Sequence, residues 1–347
     1  MNLALLLDKC LSTGDLTREE IIFLLSLHDE DDIRALLKAA DTVRHENLGD
    51  GVFIRGLIEF SNICARQCSY CGLRSENPNV ERYRMPIHEI VDVAVKIVNK
   101  GIGTIVLQSG EDPWFTADRM AEIISGIKSR VDCAITLSIG ERTRDEYRIM
   151  KEAGADRFLL RHETANPDLY RRLHPDMEFA DRVGCLRDLR ELGYQVGAGC
   201  MVGLPGQTIE DMASDVLFVR SINADMVGVG PFIPHPDTPL GGTPGGTLDM
   251  TLKMVALMRI VTRNAHLPAT TAVGSIDPIG REKALQAGAN IVMPNYTPLK
   301  YRINYEIYPN KRCIAEDPEH CHGCMRARIE SIGRNVADGP GHSLKMK

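Results

Sequence analysis

The spacing of apolar and polar positions changes near the fiftieth residue of the chain. Before that point, Thr17 and Glu20 predict a helix-capping box ahead of the apolar stretch 21–27, and a second helix is predicted over about residues 31–44. From residue 52 onward, short apolar runs alternate with amphipathic segments. The pattern therefore predicts a helical extension ahead of a larger α/β domain.

The apolar runs after the extension have the length of buried strands. Eight of them are predicted strands: 53–60, 104–108, 134–138, 157–160, 195–201, 226–231, 269–273 and 291–294. Seven amphipathic segments between them are predicted helices: 87–99, 117–130, 144–153, 179–192, 209–222, 248–264 and 280–287.

This alternation favours a parallel sheet with helices on the outside. Eight strand–helix units over roughly 240 residues fit a (β/α)8 TIM barrel, and an open doubly wound sheet is the alternative. No low-complexity linker or repeat of fixed period divides the sequence. We expect one barrel domain over residues 51–300, with an N-terminal helical extension over 1–50 and a short C-terminal metal-binding segment over 301–347.

The composition is that of an ordinary globular protein, with 44% hydrophobic and 25% charged residues among 347. A formal net charge of −6 argues against nucleic-acid binding, which needs a basic surface for phosphates. No apolar run approaches the roughly 18 residues that span a bilayer, so we expect a cytoplasmic protein. Because cytosolic thiols stay reduced, ten cysteines indicate ligands or catalytic groups rather than disulfides.

Three cysteines lie together directly after the first predicted strand. Cys64, Cys68 and Cys71 have the spacing C-x3-C-x2-C, and thiolates are the usual ligands of iron–sulfur clusters. A cubane cluster has four irons, so three ligands leave one iron open. Zinc is the alternative, but structural zinc takes four ligands, and no fourth Cys or His lies nearby in the sequence. The spacing favours a [4Fe–4S] cluster with one vacant position.

Polar residues also follow other predicted strands, where the functional face of a barrel lies. Gln108, Ser109 and Gly110 follow the second strand, and the glycine permits close approach of a ligand; a plain βα turn is the alternative. Arg161 and Glu163 follow the fourth strand. Charged groups at a buried strand end favour a bound ligand, and an ion pair at the barrel rim is the alternative.

Three further features belong to the same face. Arg182 lies on a helix, where its guanidinium can bind a carboxylate through two hydrogen bonds or pair with an ordinary surface acid. Thr270 and Thr271 offer hydroxyls to substrate oxygens, although β-branched pairs are also typical of strands. In the stiff proline-rich loop 231–239, His235 is interpreted as a hydrogen-bonding loop residue rather than a catalytic base.

The C-terminal segment carries a second group of cysteines. Cys313, Cys321 and Cys324 include a C-x2-C pair, which predicts an accessory metal site. A second Fe–S cluster is favoured; zinc, with His320 or His322 as fourth ligand, and free thiols are the alternatives. Four other cysteines lie among apolar neighbours and are expected to be small buried side chains: Cys10, Cys133, Cys185 and Cys200.

The cysteine spacing, with the aromatic Tyr70 before the last cysteine, resembles the radical S-adenosylmethionine (SAM) superfamily. From about residue 50 to about residue 330, the chain resembles the HydE family, the maturases of [FeFe]-hydrogenase, and biotin synthase and methylornithine synthase look like relatives. The stretches that carry the resemblance are 58–74, 82–85, 108–113, 161–167, 197–208, 226–239, 268–272, 287–298 and the C-terminal cysteines.

The resemblance implies a (β/α)8 barrel that binds SAM through the vacant iron, and an electron from the cluster that cleaves SAM to a 5′-deoxyadenosyl radical. It implies SAM contacts at Tyr70, Gln108, Ser109, Gly110, Ser138, Glu163, Arg182 and Met226. It implies a substrate cavity lined by Arg55, Thr136, Arg161, Thr270, Thr271, Met293 and Tyr305. It also implies an accessory cluster on the C-terminal cysteines, which not all members of the family possess.

The same resemblance implies a role in assembly of the H-cluster. The substrate would be an organometallic iron species that bears Cys, CO and cyanide, passed on by a partner maturase, with ferredoxin or flavodoxin as electron donor. One alternative is a radical mutase of an amino acid, as in methylornithine synthase, which looks to lack the accessory cysteines. Another is a non-enzymatic electron-transfer or scaffold protein with two clusters, which predicts four ligands per cluster rather than three.

Overall fold

The computed structural model describes residues 1–312 and 318–345, and for residues 318–322 the backbone alone. Within this part of the chain, no helix is both long and apolar enough to cross a membrane. Three helices come first: α1 (Leu3–Ser12), α2 (Arg18–Leu25) and α3 (Glu30–Leu48). The capping box predicted at α2 is confirmed, since Thr17 and Glu20 exchange reciprocal side chain–backbone hydrogen bonds.

Two parallel sheets follow these helices. The smaller one places β1 (Gly51–Ile54) between β8 (Ile291–Val292) and β9 (Asn335–Ala337). The larger one consists of six strands that are neighbours in sequence order: β2 (Gly56–Ser61), β3 (Thr104–Ser109), β4 (Ala134–Ser138), β5 (Arg157–Leu159), β6 (Gln195–Val202) and β7 (Met226–Pro231).

Helices connect these strands and continue after them. Those between β2 and β7 are α4 (Ile87–Val98), α5 (Ala117–Lys128), α6 (Arg144–Glu152), α7 (Pro167–Leu173), α8 (Phe179–Glu191) and α9 (Ile209–Ser221). Those after β7 are α10 (Leu248–Thr262), α11 (Thr271–Ile276), α12 (Gly280–Gln286), α13 (Leu299–Arg302) and α14 (Pro318–Ser331). The predicted α/β architecture with a buried parallel sheet is confirmed.

Single parallel bridges join the edges of the two sheets. They are Leu57–Asn295, Met226–His266 and Pro268–Ile291. The carboxyl ends of the strands therefore face one side of the molecule, which brings their following loops together.

Two of the predicted strands need correction. The first, 53–60, is two strands, since β1 pairs with β8, while β2 begins at Gly56 and pairs with β3. The seventh, 269–273, is wrong, because Thr270 is the N-cap of α11. Its β-branched residues suggested a strand, but β preference depends on packing. Here an added Cβ on Gly280 would lie 2.4 Å from the Val273 carbonyl oxygen, so α11 and α12 pack too closely for any larger residue.

Residues 339–345 cross the amino ends of the strands. The Pro340 carbonyl accepts hydrogen bonds from Thr104 Oγ1 at 2.8 Å and Arg157 Nη2 at 2.7 Å. Gln195 Nε2 lies 2.8 Å from His342 Nδ1. Because Thr104, Arg157 and Gln195 are the first residues of β3, β5 and β6, this segment covers the end of the sheet opposite the predicted site.

Candidate cluster and cofactor site

The cysteine loop begins where β2 ends, at the carboxyl edge of the larger sheet. Buried Asn62 fixes its base: its amide donates to the carbonyls of Glu81 at 2.8 Å and Asn304 at 2.7 Å. The Asn62 side-chain oxygen accepts the N–H of Tyr83 at 2.7 Å. The loop is thereby tied to two other segments before its first cysteine.

The segment after β3 packs directly against Cys64. The backbone nitrogens of Arg66 and Glu111 each lie 3.4 Å from Cys64 Sγ and donate to it. An added Cβ on Gly110 would lie 2.8 Å from the Cys64 Cβ and 2.3 Å from the Ile63 carbonyl oxygen. Glycine is required here because the cysteine loop occupies the space of a side chain.

All three thiols of the loop have raised pKa values. Burial raises the pKa of Cys64, burial and the two neighbouring cysteines raise that of Cys68 well above its usual range, and burial raises the pKa of Cys71 to about 12. A bound metal reverses this balance, since its positive charge stabilises the thiolate. Cys64 and Cys71 contribute to the raised pKa of Cys68, and Cys64 contributes to that of Cys71.

The loop offers three free thiols, those of Cys64, Cys68 and Cys71. Zinc draws its ligands to one centre, whereas a cubane cluster binds each thiolate to a separate iron. The three thiols of Cys64, Cys68 and Cys71 suit the second case.

A chain of alternating charges borders the loop. Arg66 Nε lies 2.5 Å from Glu111 Oε2, and Arg66 Nη2 lies 3.6 Å from Glu141 Oε2. Glu141 Oε1 in turn accepts a hydrogen bond from Arg182 Nε at 2.6 Å, and Arg182 Nη1 donates to the Arg161 carbonyl. Sequence reasoning assigned no role to Glu111 or Glu141, although both follow strand ends, which is the signal that points to them.

The charged residues after β5 are strained and incompletely paired. Glu163 has a left-handed φ of 64°. Arg161 Nη2 lies 3.2 Å from Glu163 Oε2 and donates to the Cys200 carbonyl at 2.7 Å. Arg161 Nε is nevertheless buried without a hydrogen-bond partner, and Glu163 Oε2 is buried with no partner other than this ion contact. Arg161 and Glu163 thus form the ion pair that was the alternative. Backbone strain and unpartnered buried atoms are also typical of ligand-binding sites.

Other predicted substrate residues carry buried polar atoms without partners, namely Arg55 Nε, Thr136 Oγ1 and Thr270 Oγ1. Arg55 Nη1 lies 3.1 Å from the sulfur of Met226. Burial, followed by the charge of Arg157, lowers the pKa of Arg55 well below its usual range. In the described part of the chain, no carboxylate pairs with this guanidinium. A buried cation without a counter-charge favours binding of an anionic or electron-rich group.

The remaining predicted residues divide between two places. Gln108 Nε2 donates to the Tyr305 hydroxyl at 3.2 Å, so a predicted SAM contact meets a predicted substrate contact. Gln108 also lies opposite Ser138 in the register of β3 and β4. Ser109 Oγ donates to the Gly110 carbonyl at 2.7 Å. Thr271 and Met293 line a small cavity, whose other members include Arg281, Asn295 and Lys311.

The prediction for the proline-rich loop has an outcome, whereas the C-terminal metal site stays a prediction. His235 is a hydrogen-bonding loop residue as expected, since its Nδ1 accepts the N–H of Asp237 at 3.1 Å. Cys324 lies exposed on α14. The side chains of Cys313 and Cys321, predicted to share its site, lie outside the described residues.

Sequence reasoning also missed a buried ion pair beside the site. Lys311 Nζ donates to Glu59 of β2, and Asn295 Nδ2 donates to the same carboxylate at 2.6 Å. A glutamate inside an apolar strand was the available signal.

Comparison with known proteins identifies the family to which the chain belongs. Residues 58–219 match the family model described as the radical SAM superfamily. Over 324 residues, the chain is 52% identical to the [FeFe] hydrogenase maturase subunit HydE of Thermotoga maritima, with 93% of each chain covered. The chain belongs to the radical SAM superfamily, within the HydE family. The cofactors of this superfamily, a [4Fe–4S] cluster and SAM, are those that the sequence predicted.

Other members of the superfamily are more distant. The chain is 30% identical to 3-methylornithine synthase of Methanosarcina acetivorans, over 95% of this chain and 93% of that one. A crystal structure of methylornithine synthase matches with a TM-score of 0.84 at 28% identity, over 96% of this chain and 97% of that one. The radical SAM fold thus extends over almost the whole chain, well beyond residues 58–219.

Proposed function

We propose that this radical SAM enzyme processes an organometallic iron precursor during assembly of the H-cluster of [FeFe]-hydrogenase. The observation that carries the proposal is 52% identity to HydE over almost the whole chain. The likeness to methylornithine synthase supports a carbon-skeleton mutase as the second candidate, but at 30% identity.

Cys64, Cys68 and Cys71 are the proposed ligands of the [4Fe–4S] cluster. When bound, the cluster and SAM supply a 5′-deoxyadenosyl radical by reductive cleavage. Because the pKa values of the free thiols are raised, cluster binding displaces protons from them. Arg182 binds the carboxylate of SAM, in competition with Glu141, which already holds its Nε at 2.6 Å. The other proposed SAM contacts are Tyr70, Gln108, Ser109, Gly110, Ser138, Glu163 and Met226.

The proposed substrate chamber is lined by buried polar side chains that have atoms without hydrogen-bond partners. Arg55 and Arg161 contribute positive charge, and Thr136 and Thr270 contribute hydroxyl donors whose oxygens lack partners in the described structure. Cyanide nitrogens accept hydrogen bonds, so an iron species with cyanide ligands would satisfy such donors. The remaining proposed substrate contacts are Thr271, Met293 and Tyr305.

We further propose that the strands close into a (β/α)8 barrel over residues 51–300. Its support is the set of single bridges between the two sheets, which connect β7 to the segment 266–268, that segment to β8, and the chain after β8 to β2. Residues 1–50 are the helical extension and residues 301–347 the C-terminal segment. Cys313, Cys321 and Cys324 are the proposed ligands of an accessory Fe–S cluster, with a partner maturase and a ferredoxin or flavodoxin as partners.

The first experiment tests cluster and SAM chemistry. The protein is reconstituted anaerobically with iron and sulfide, reduced with dithionite and supplied with SAM. We expect 5′-deoxyadenosine from the parent protein and none from Cys68→Ala. Cys133→Ala is the matched control, since Cys133 is buried at the other end of β4, and it should retain the activity. Zinc in place of iron, or equal product from Cys68→Ala, contradicts the proposal.

The second experiment separates maturase from mutase. The same reduced enzyme is given an iron complex that carries cysteine, CO and cyanide, or lysine instead. Consumption of the complex with a new paramagnetic signal supports the maturase. Turnover of lysine without turnover of the complex assigns the chain to the mutase.

A further inference from the structure

A buried histidine outside the assigned site contacts the cysteine loop. His174 has no exposed surface and is the C-cap of α7. Its Nε2 lies 3.0 Å from the Tyr70 hydroxyl, and its Nδ1 lies 3.1 Å from the Tyr170 carbonyl oxygen. Because a carbonyl can only accept, Nδ1 carries the proton and Nε2 accepts the hydrogen bond from Tyr70.

The imidazole stays in this neutral form. Burial, with the charge of Arg182 as the second cause, lowers the pKa of His174 to about 3. Near neutral pH, Nε2 is therefore available as an acceptor for Tyr70.

Helix α7 is attached to the cysteine loop at the neighbouring residue as well. The Ser69 N–H donates to the Leu173 carbonyl at 2.8 Å, and Ser69 Oγ lies 3.3 Å from the Arg172 carbonyl oxygen. These are two of the terminal carbonyls that a helix leaves without internal partners. The loop and the end of α7 thus satisfy each other's backbone groups.

The rings around His174 form a continuous column. The His174 ring stacks on Tyr170 with centroids 4.1 Å apart and an interplanar angle of 27°. The Arg182 guanidinium lies 5.7 Å from the centroid of the Tyr170 ring, and Tyr70 meets the His174 ring edge-on at 5.4 Å. The column joins Tyr70 to Arg182, two proposed SAM contacts that are far apart in the sequence.

We propose that His174 is a positioning residue for SAM binding. It holds the Tyr70 side chain of the cysteine loop in a fixed position relative to Arg182. The inference rests on the proposed SAM contacts of Tyr70 and Arg182. It adds a residue outside the proposed cluster ligands and SAM contacts, which acts through the Tyr70 hydroxyl. Loss of that hydrogen bond releases the Tyr70 ring, so SAM must order it on binding.

Three substitutions isolate the hydrogen bond. Tyr70→Phe removes the donor, His174→Phe keeps a flat ring but removes the acceptor, and His174→Gln keeps an acceptor near the position of Nε2. We expect the two phenylalanine variants to raise the KM for SAM about fivefold, with kcat for 5′-deoxyadenosine within about twofold of the parent. His174→Gln should have a KM for SAM close to that of the parent. The double variant Tyr70→Phe/His174→Phe should have a KM no higher than that of either single variant.

A spectroscopic signature and a control complete the test. Electron paramagnetic resonance of the reduced cluster should change on SAM addition in the parent, and the phenylalanine variants should need more SAM for the same change. Tyr194→Phe removes another buried tyrosine hydroxyl, which donates to the Tyr147 carbonyl at 2.8 Å, and should leave the KM unchanged.

The possible failures are distinct. An unaltered KM for SAM in Tyr70→Phe, or additive effects in the double variant, overturns the role of His174. Absence of 5′-deoxyadenosine from the parent protein instead refutes the SAM chemistry itself. If His174→Phe does not fold, Tyr70→Phe and His174→Gln together still decide the question, because the first breaks the same bond from the other side and the second should keep it with a KM near that of the parent.

Discussion

Arg55 is a buried cation that we expect to reduce stability while it serves substrate binding. It is 4% exposed, lies between β1 and β2, and contacts the Met226 sulfur at 3.1 Å and the Gly341 carbonyl at 3.2 Å. Its Nε has no partner in the described structure. The informative perturbation is Arg55→Met, which retains a long unbranched side chain and removes the charge.

The magnitude follows from the environment of the guanidinium. Burial of an ion in a protein interior costs several kcal/mol even after relaxation. Two weak hydrogen bonds return about 1 kcal/mol each. We therefore expect Arg55→Met to raise the free energy of unfolding by about 1–3 kcal/mol. For a chain of 347 residues, this corresponds to a rise in Tm of roughly 1–4 °C.

Arg157→Met is the matched control, because Arg157 is equally buried but well paired. Its guanidinium reaches Gln195 Oε1 at 3.1 Å, Thr104 Oγ1 at 3.1 Å and the Pro340 carbonyl at 2.7 Å. Removal of this side chain takes one hydrogen bond from each of these three acceptors, and we expect a loss of about 3 kcal/mol.

The assay is thermal unfolding of the cluster-loaded proteins, followed by binding of the cyanide- and carbonyl-bearing iron complex. Arg55→Met should bind that complex roughly tenfold to a hundredfold more weakly despite its higher Tm. A drop in Tm comparable to that of Arg157→Met would refute the reasoning, since it would mean that the Arg55 charge is compensated.

Three further outcomes are expected. Gly199→Ala places a Cβ 2.0 Å from the backbone oxygen of Gly228, so it should lose about 3 kcal/mol in denaturant unfolding; an unchanged midpoint would show that β6 and β7 can separate. Asp215→Asn weakens the contact to buried His162, 3.3 Å away, and should lower the Tm through a loss of about 2 kcal/mol; full stability would show that this contact does not stabilise the fold. Burial and then Arg55 hold the pKa of His266 well below 6.5, so the unfolded chain takes up a proton first as pH falls and stability declines below pH 6.5, by about 2 kcal/mol at pH 5. His266→Gln should flatten this decline, and an equal slope would assign it elsewhere.

The sequence by itself determined the chemistry of the site and most of the elements. The spacing of Cys64, Cys68 and Cys71 predicts three cluster ligands and one vacant position, because local spacing alone sets which thiolates share a loop. Periodicity located six strands of the larger sheet and the helices between them, except α7. That helix has a start signal at Asn166 and Pro167, but it is too short to show an amphipathic period.

Only the tertiary structure decided which distant residues meet. The break between β1 and β2 depends on two different partner strands, and the helical form of residues 271–276 depends on contact with α12. The Glu141–Arg182 pair and the column from Tyr70 through His174 each join segments separated by many residues. Such contacts carry no local pattern, since they arise where strand ends converge, and burial then shifts the charges and protons of the groups it encloses.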